Sequence, residues 1–179
     1  MSEQSWQIRR PVVADAARIA EINVLGWQHA YAGLMPADLL AGLETAARVE
    51  RLLERFRAGT NAPGYVAADE TNDIVGYCWF GPYRPDDDVP DVPAGPSPAW
   101  GEIYALYVDP GAIGTGAGGA LIRAALADLA PRPVALWVLA GNSRARGFYA
   151  RFGFEPDGTS ADFDAGGTPV PEIRYRLTR

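Results

Sequence analysis

Hydrophobic and polar positions follow two different periods along the first half of the chain. Apolar side chains first recur at helical spacing and then in the denser pattern of strands, with the polar segment 69–73 as a hairpin connection. The predicted helices cover residues 16–30 and 37–58, and the predicted strands cover 7–9, 65–68 and 74–80. Asp15 stands where an acidic residue can cap the first helix.

The second half predicts a strand at 102–108, a helix at 118–129 and a buried strand at 134–139, which together form a β-α-β unit. Strict alternation in the first of these strands predicts one face made of Glu102, Tyr104, Leu106 and Val108. Asn142 and Ser143 are expected to cap a further helix that ends near Gly153, and short strands are expected at 154–156 and 173–177.

The segment between the two halves, residues 81–99, carries six prolines and four aspartates and is predicted to be a long loop. Its acidic residues either attract a cationic acceptor or form a solvated surface. They are Asp86, Asp87, Asp88 and Asp91.

Composition narrows the class of protein. With 179 residues and 48% hydrophobic content, the chain can bury one sizeable core, so we expect a single domain over residues 6–179. The formal charge of −6 and the lack of a Lys/Arg cluster argue against nucleic acid, and cationic small molecules or amine-bearing peptides fit this charge better. No run of 18 apolar residues and no signal peptide are seen, which predicts a cytoplasmic protein without a membrane partner.

Cysteine and histidine are too few for a metal or disulfide framework. Cys78 and His29 are the single residues of their types, and both are interpreted as packing residues. We therefore expect no metal.

The most informative motif is the glycine-dense turn of residues 108–119, which follows a strand and precedes a helix. Its glycines allow backbone amides to approach an anion, and the helix adds its positive dipole end. A nucleotide P-loop is excluded because the turn has no lysine. A dinucleotide site matches at Gly114, Gly116 and Gly119, but the acidic residue that should follow the next strand is missing.

A second constellation completes the interpretation of this turn. The turn places Val108, Pro110, Gly116 and Gly118 at the positions of a Val-x-Pro, Gly-x-Gly/Ala acetyl-CoA motif. The later signature Asn-x-x-Ala-x-x-x-Tyr-x-x-x-Gly-Phe is matched by Asn142, Ala145, Tyr149, Gly153 and Phe154. In this order and spacing, the two blocks resemble the GNAT superfamily of N-acetyltransferases, and the resemblance spans nearly the whole chain.

The resemblance implies an α/β (α+β) fold with a mixed, mostly antiparallel central sheet, a splayed pair of parallel strands and flanking helices. It implies acetyl-CoA as co-substrate and direct transfer of the acetyl group to a primary amine of a small molecule or peptide. The cofactor-binding residues it implies are Leu106, Tyr107, Val108, Ile113, Gly114, Thr115, Gly116, Ala117, Gly118, Asn142 and Tyr149.

One position departs from the family pattern. Ile113 stands where the family has Arg or Gln at the head of the turn, so a side-chain contact to the pyrophosphate is lost. Backbone amides and the helix dipole remain, with Arg123, Arg144 and Arg146 as further cations that can meet the phosphates.

Tyr149 is the candidate general acid for the departing thiolate. It lies seven residues after Asn142, nearly two helical turns, so both side chains share one helix face. A thiol with a pKa of about 8.5 and a phenol of about 10 are close enough for proton transfer that is only mildly uphill. The resemblance assigns the same role to this tyrosine and implies that the strand carrying Leu106, Tyr107 and Val108 splays from its neighbour. The Val108 amide is the candidate donor to the carbonyl oxygen.

The general base stays open at this point. Glu102, at the start of the central strand, is the catalytic candidate, but its ordinary pKa lies about six units below that of an ammonium. It would need a raised pKa or a water relay. His29 acting through water and selection of the neutral amine are the alternatives.

Two further questions also stay open from the sequence. A non-catalytic acyl-CoA-binding or sensing domain is the alternative to an enzyme, since Ile113 weakens the motif. Exposed strand edges in a mixed sheet allow a homodimer.

Overall fold

The computed structural model describes residues 5–59, 64–84 and 100–178. The acidic residues of the proline-rich segment, Asp86, Asp87, Asp88 and Asp91, lie outside these ranges. In the described ranges, no helix is long and apolar enough to cross a membrane.

The chain has a mixed α/β architecture, in which three consecutive helices are followed by three consecutive strands and then by a helix, a strand, a helix and two strands. The strands are β1 (Gln7–Arg9), β2 (Gly64–Ala68), β3 (Ile74–Pro82), β4 (Gly101–Val108), β5 (Val134–Leu139), β6 (Glu155–Asp164) and β7 (Pro169–Leu177). The helices are α1 (Ala16–Ala30), α2 (Ala37–Ala41), α3 (Thr45–Arg57), α4 (Ala117–Leu129) and α5 (Ser143–Ala150), with single 3₁₀ turns at Val13–Asp15 and Pro110–Ala112.

The described strands form one sheet in the order β1-β2-β3-β4-β5-β7-β6. All neighbouring strands pair antiparallel except β4 and β5, which are parallel. This confirms the predicted mixed, mostly antiparallel sheet with one parallel pair.

Both faces of the sheet are covered by helices. Alternate residues of β2 and β3 point to opposite faces, so Ala67 and Cys78 pack with α4 while Val66 and Tyr77 pack with α1. A third cluster, around Leu139, joins the end of β5 to α2 and to the β6–β7 hairpin. Cys78 is fully buried in the first cluster, as the packing interpretation predicts.

Two predictions about helices are wrong. The expected helix over residues 37–58 is two helices, because the chain turns at Gly42 and places the half-buried Leu43 in the third cluster. Asp15 does not cap α1 through its side chain. Its carboxylate instead accepts the Val12 N–H at 2.7 Å and pairs with Arg9 at 2.8 Å.

The predicted alternation along β4 is also wrong. The register shifts at Tyr104, since Trp79 pairs with Ala105 while Phe80 pairs with Ile103. This extra residue reverses the faces, so Ile103 packs in the same cluster as Leu106 and Val108. The bulge therefore lies in the strand that the resemblance assigns to the cofactor.

The last two strands are longer than predicted. Segments 154–156 and 173–177 are the outer ends of a long hairpin, whose turn is closed by a bond from the Ala165 N–H to the Thr168 carbonyl. Gly166 and Gly167 both have positive φ in this turn.

Candidate active site

The parallel strands β4 and β5 separate beyond their first residues. Pairing is limited to Gly101–Val134, Glu102–Ala135 and Ile103–Leu136, although both strands continue further. The backbone groups of Leu106 to Val108 that would face β5 are thus available to a ligand. This is the splayed pair implied by the resemblance.

The glycine turn follows β4 directly and is built for an anion. Gly114 and Gly116 have φ of +88° and +95°, conformations that side chains disfavour. Gly116 is the N-cap of α4, and the first intrahelical bond runs from Ala120 to Gly116. The amides of residues 117–119 therefore have no partner within the helix, and they add to its positive dipole end.

Side chains from distant parts of the chain hold this turn in place. Asp109 accepts the Gly111 N–H at 2.8 Å and is itself bound by Arg18 at 2.6 Å. The indole N–H of Trp6 donates to the Thr115 carbonyl at 3.1 Å. The turn is anchored on both sides before any ligand arrives.

A large cleft runs from the glycine turn to the end of α1, and its volume is about 1290 Å³. Pockets for drug-sized ligands are typically about 300–1,000 Å³, so this cleft has room for an extended cofactor and an acceptor. The predicted site residues that line it are Glu102, Leu106, Tyr107, Val108, Ile113, Gly114, Gly116, Gly118, Asn142 and Tyr149. Thr115 and Ala117 do not line it: Thr115 bonds Trp6 through its carbonyl, and Ala117 is buried under the helix start.

Tyr149, on α5, is one of the residues that line the cleft. Its ring packs edge-on against Phe148 and Phe154, with centroids 5.2 Å and 5.9 Å away. Within the described ranges, no group hydrogen-bonds its hydroxyl. Burial raises the pKa of Tyr149, so the phenol stays protonated and able to donate.

Asn142 and the three arginines suggested for phosphate contact differ in their surroundings. The Asn142 side chain accepts the Ala145 N–H at 3.0 Å and so caps α5, while the residue also lines the cleft. Arg144 lines the cleft beside His29. Arg123 stands over Gly119 at the start of α4, whereas Arg146 bonds Tyr175 and the Ala140 carbonyl.

Glu102 is buried and tightly bound at the other end of the cleft. It accepts the Arg84 backbone N–H at 2.9 Å and two guanidinium bonds, the shorter at 2.7 Å. The same guanidinium lies over the Tyr104 ring at 3.9 Å. Arg84 thus balances the charge of this carboxylate, a partner that spacing along the sequence does not reveal.

A tyrosine pair forms the floor between α1 and β4 and was not predicted. The hydroxyls of Tyr31 and Tyr107 are 2.7 Å apart, and both side chains line the cleft. Tyr107 lies so close to Gly26 that a Cβ there would be 2.8 Å from its ring. The aromatic residues of the Trp27–Tyr31 segment are the sequence signal that could have indicated this pair.

Comparison with known proteins agrees with this geometry. The sequence profile of the Acetyltransferase (GNAT) family matches residues 27–154, well over half of the chain. The chain belongs to the GNAT acetyltransferase family. Membership of this family supports an enzyme rather than a non-catalytic binding domain.

Named relatives within the GNAT family are of two kinds. A probable N-acetyltransferase of Mycobacterium tuberculosis is 28% identical and is aligned over 100% of this chain and 97% of its own length. The mycothiol acetyltransferase of Acidimicrobium ferrooxidans is 34% identical over 61% of this chain. The aligned part is only 34% of that longer protein.

Solved GNAT structures show the same fold. The PaiA N-acetyltransferase from Thermoplasma acidophilum, in complex with coenzyme A, superposes with a TM-score of 0.70 at 19% identity, covering 98% of this chain and 99% of its own. The ribosomal-protein-alanine N-acetyltransferase from Brucella melitensis superposes with a TM-score of 0.69 at 23% identity, covering 97% and 99%.

The residues of this GNAT cleft fit a coenzyme A thioester. The turn offers two positive-φ glycines and free helix amides to a diphosphate. The splay offers β4 backbone groups to an extended amide-containing arm. Among the described residues, no group of three or more His, Cys, Asp or Glu side chains is arranged to hold a metal ion.

Proposed function

We propose that this GNAT protein is an acetyl-CoA-dependent N-acetyltransferase that acts on a primary amine of a small molecule or peptide. The observation that carries the proposal is the junction of three features in one cleft: the glycine turn, the unpaired end of β4 and the Tyr149 hydroxyl. Bound acetyl-CoA would supply an activated acetyl group as a thioester.

In this proposal, backbone groups do most of the binding. The amides between Ile113 and Gly119 hold the diphosphate, since the side chain at Ile113 gives no charge. Trp6 and Asp109 keep the turn in its binding conformation. The Val108 amide, beyond the last β4–β5 pair, polarises the acyl carbonyl.

Tyr149 is the proposed acid. Its phenol protonates the departing sulfur and later recovers a proton, so it must stay neutral between turnovers. Burial raises the pKa of Tyr149, and the same apolar surroundings disfavour a free thiolate, as the raised pKa of the nearby buried Cys78 illustrates. The two effects offset each other, and proton transfer remains feasible.

Glu102 is proposed to contribute to the base step only through water. Its carboxylate oxygens already accept three hydrogen bonds from Arg84, so direct contact with the amine would compete with this pair. The alternative is that the cleft selects the neutral amine. Glu102→Gln separates them: a water relay through this carboxylate predicts a large loss of kcat, whereas selection of the neutral amine predicts that kcat is nearly unchanged.

The central test is acetyl-CoA turnover across a library of primary amines, measured by release of free thiol. Tyr149→Phe should bind acetyl-CoA normally and lose about 10²- to 10⁴-fold in kcat, the usual contribution of a general acid. Tyr65→Phe, whose hydroxyl is on the surface, should leave kcat unchanged. Wild-type protein that binds acetyl-CoA but turns over no amine would contradict the proposal.

A further inference from the structure

Two tyrosine hydroxyls in the cleft share one hydrogen bond but carry two protons. The hydroxyl oxygens of Tyr31 and Tyr107 are 2.7 Å apart, and either of them can be the donor. Whichever hydroxyl donates, the proton of the other one is left over. Among the described residues no group accepts this leftover proton, and both side chains line the cleft. The tyrosine pair therefore offers one O–H donor to a molecule that occupies the cleft.

The other two tyrosines that line the cleft in the described ranges, Tyr104 and Tyr149, differ from this pair. Tyr104 donates its O–H to the Pro82 carbonyl at 2.6 Å, so its proton is already used. The Tyr149 hydroxyl serves the proposed reaction as the acid. The leftover proton of the tyrosine pair is thus a hydrogen-bonding group of the cleft to which the mechanism gives no role.

Packing holds the tyrosine pair in position. The centroid of the Tyr107 ring lies 5.8 Å from that of Tyr77 and 6.5 Å from that of Tyr31. On its other side, α1 comes so close that a Cβ at Gly26 would be 2.8 Å from the Tyr107 ring. Burial raises the pKa of both Tyr31 and Tyr107, so both hydroxyls stay protonated. The pair is therefore a fixed and neutral donor.

The tyrosine pair approaches the splay from the side of α1. Tyr107 packs in the cluster that contains Ile19 of α1, whereas Tyr149 packs in the cluster of α4, on the opposite face of the sheet. The hydroxyls still lie close enough to affect one another. Behind the larger effect of burial, Tyr149 contributes to the raised pKa of Tyr107, and Tyr31 contributes to that of Tyr149. An amine that enters from the side of α1 would therefore pass the tyrosine pair before it meets Tyr149.

The leftover proton places a requirement on the acceptor. Water can accept this proton while the cleft is open to solvent, but an acceptor that displaces the water must offer a lone pair instead, or the donor is buried without a partner. The nucleophilic nitrogen cannot supply that lone pair, because its lone pair attacks the acetyl carbon. A second atom of the acceptor must do so, and an oxygen is the ordinary partner of a phenol O–H.

We propose that the tyrosine pair binds an oxygen of the acceptor and selects primary amines that carry a carbonyl or hydroxyl oxygen within a few bonds of the nitrogen. The inference rests on the proposed function, because it names the acceptor class of the same cleft. Tyr31 and Tyr107 are specificity-determining residues in this proposal, since they discriminate between acceptors.

Two matched pairs of amines test this selection. Glycinamide and isobutylamine share one branched skeleton, in which a carboxamide replaces two methyl groups, and ethanolamine differs from propylamine by a hydroxyl in place of a methyl group. The measured quantity is kcat/KM for thiol release at saturating acetyl-CoA, calculated for the neutral form of each amine. The wild type should prefer the oxygen-bearing member of each pair at least tenfold.

The double variant Tyr31→Phe/Tyr107→Phe removes both hydroxyls and keeps both rings. Replacing both partners of a hydrogen bond by apolar groups of the same shape is nearly neutral for stability, so we expect this variant to fold and to bind acetyl-CoA normally. Its preference should fall to within about twofold of unity, because the leftover proton is gone. Tyr65→Phe, which removes a surface hydroxyl, should keep the wild-type preference.

Ligand-observed NMR of the CoA-bound protein measures the same preference as a ratio of Kd values, without turnover. General damage to the cleft would weaken both members of a pair alike and leave this ratio unchanged. A wild type that binds neither probe or shows no preference would overturn the inference, as would a double variant that keeps the preference. An equal loss of kcat for both amines would overturn it too, and would assign the leftover proton to the acetyl carbonyl. Failure of the wild type to bind acetyl-CoA would instead count against the proposed function.

Discussion

Asp157 is the residue on which the charge balance of the outer sheet depends. Its side chain is 2% exposed, and it binds Arg174, which is 3% exposed, at 2.7 Å. Arg174 also donates to Tyr83 and Thr159, and its guanidinium lies over Trp137, which lines the cleft. A buried pair of this kind links the stability of the sheet to the shape of the cleft.

Asp157→Asn should lower the free energy of unfolding by about 3–5 kcal/mol, because it removes the buried carboxylate that pairs with Arg174. Burial alone would raise the pKa of Asp157, but hydrogen bonds from Thr159 and Arg174 outweigh it and lower the pKa. The stabilisation is therefore present above the unfolded value of about 3.9 and is lost as pH falls through the lower folded value.

Urea unfolding of the wild type and Asp157→Asn at pH 7 and below pH 4 measures both effects. The difference between the two proteins should shrink in acid. The exposed Asp162→Asn should stay within about 0.5 kcal/mol of the wild type at either pH. A difference that grows on acidification would contradict this account.

The glycine turn is an element whose shape depends on a residue far away in the sequence. Trp6, just before β1, reaches Thr115 with its indole N–H and packs in the same cluster as α4. A turn that binds through backbone amides gains affinity when its conformation is fixed in advance. Because Ile113 adds no charged contact, this anchoring matters more than it would with Arg or Gln there.

Trp6→Phe keeps a ring in the cluster but removes the donor to Thr115. We expect acetyl-CoA to bind about fivefold more weakly, equivalent to about 1 kcal/mol for one hydrogen bond, with kcat at saturation nearly unchanged. Calorimetry with acetyl-CoA measures the first effect and saturating kinetics the second. Trp79→Phe, in the cluster on the opposite face, should not alter cofactor affinity, and a loss of kcat alone in Trp6→Phe would argue against positioning.

The elements that were predicted correctly are those whose bounds follow from a local apolar pattern and do not change when the element packs against others. Strand β5 matches its prediction residue for residue, and α1 does as well, because long apolar repeats leave few alternatives. The β4 bulge at Tyr104 was missed because it depends on pairing with β3. The β6–β7 hairpin was underestimated because its middle, rich in Asp, Gly and Thr, resembles a loop in sequence.

In the candidate site, too, local motifs were predicted and contacts between distant segments were missed. The glycine turn and Tyr149 are local motifs, and the structure brings them to one cleft. The pairing of Arg84 with Glu102 and the hydrogen bond between Tyr31 and Tyr107 arise from contacts between distant segments. No spacing along a single sequence encodes such contacts, so they could be found only in the folded chain.

The cleft is lined by residues from most of the chain, between Gly26 and Glu172, and these include residues of both splayed strands, β4 and β5. Such a site exists only in the folded state. A ligand that fills it therefore stabilises the whole molecule by mass action. Under the proposed function, the binding of acetyl-CoA and global unfolding are linked.

Acetyl-CoA at about 100 times its Kd should raise the free energy of unfolding by about 2.7 kcal/mol, and for a chain of this length that corresponds to roughly 5–10 °C in Tm. Tyr149→Phe should show the same shift, because its hydroxyl serves the reaction rather than cofactor affinity. Differential scanning fluorimetry measures both. NAD at the same concentration should give no shift, because β5 ends at Leu139 without the carboxylate that would bind its ribose. A shift with NAD and none with acetyl-CoA would assign the glycine turn to a dinucleotide and refute the proposed function.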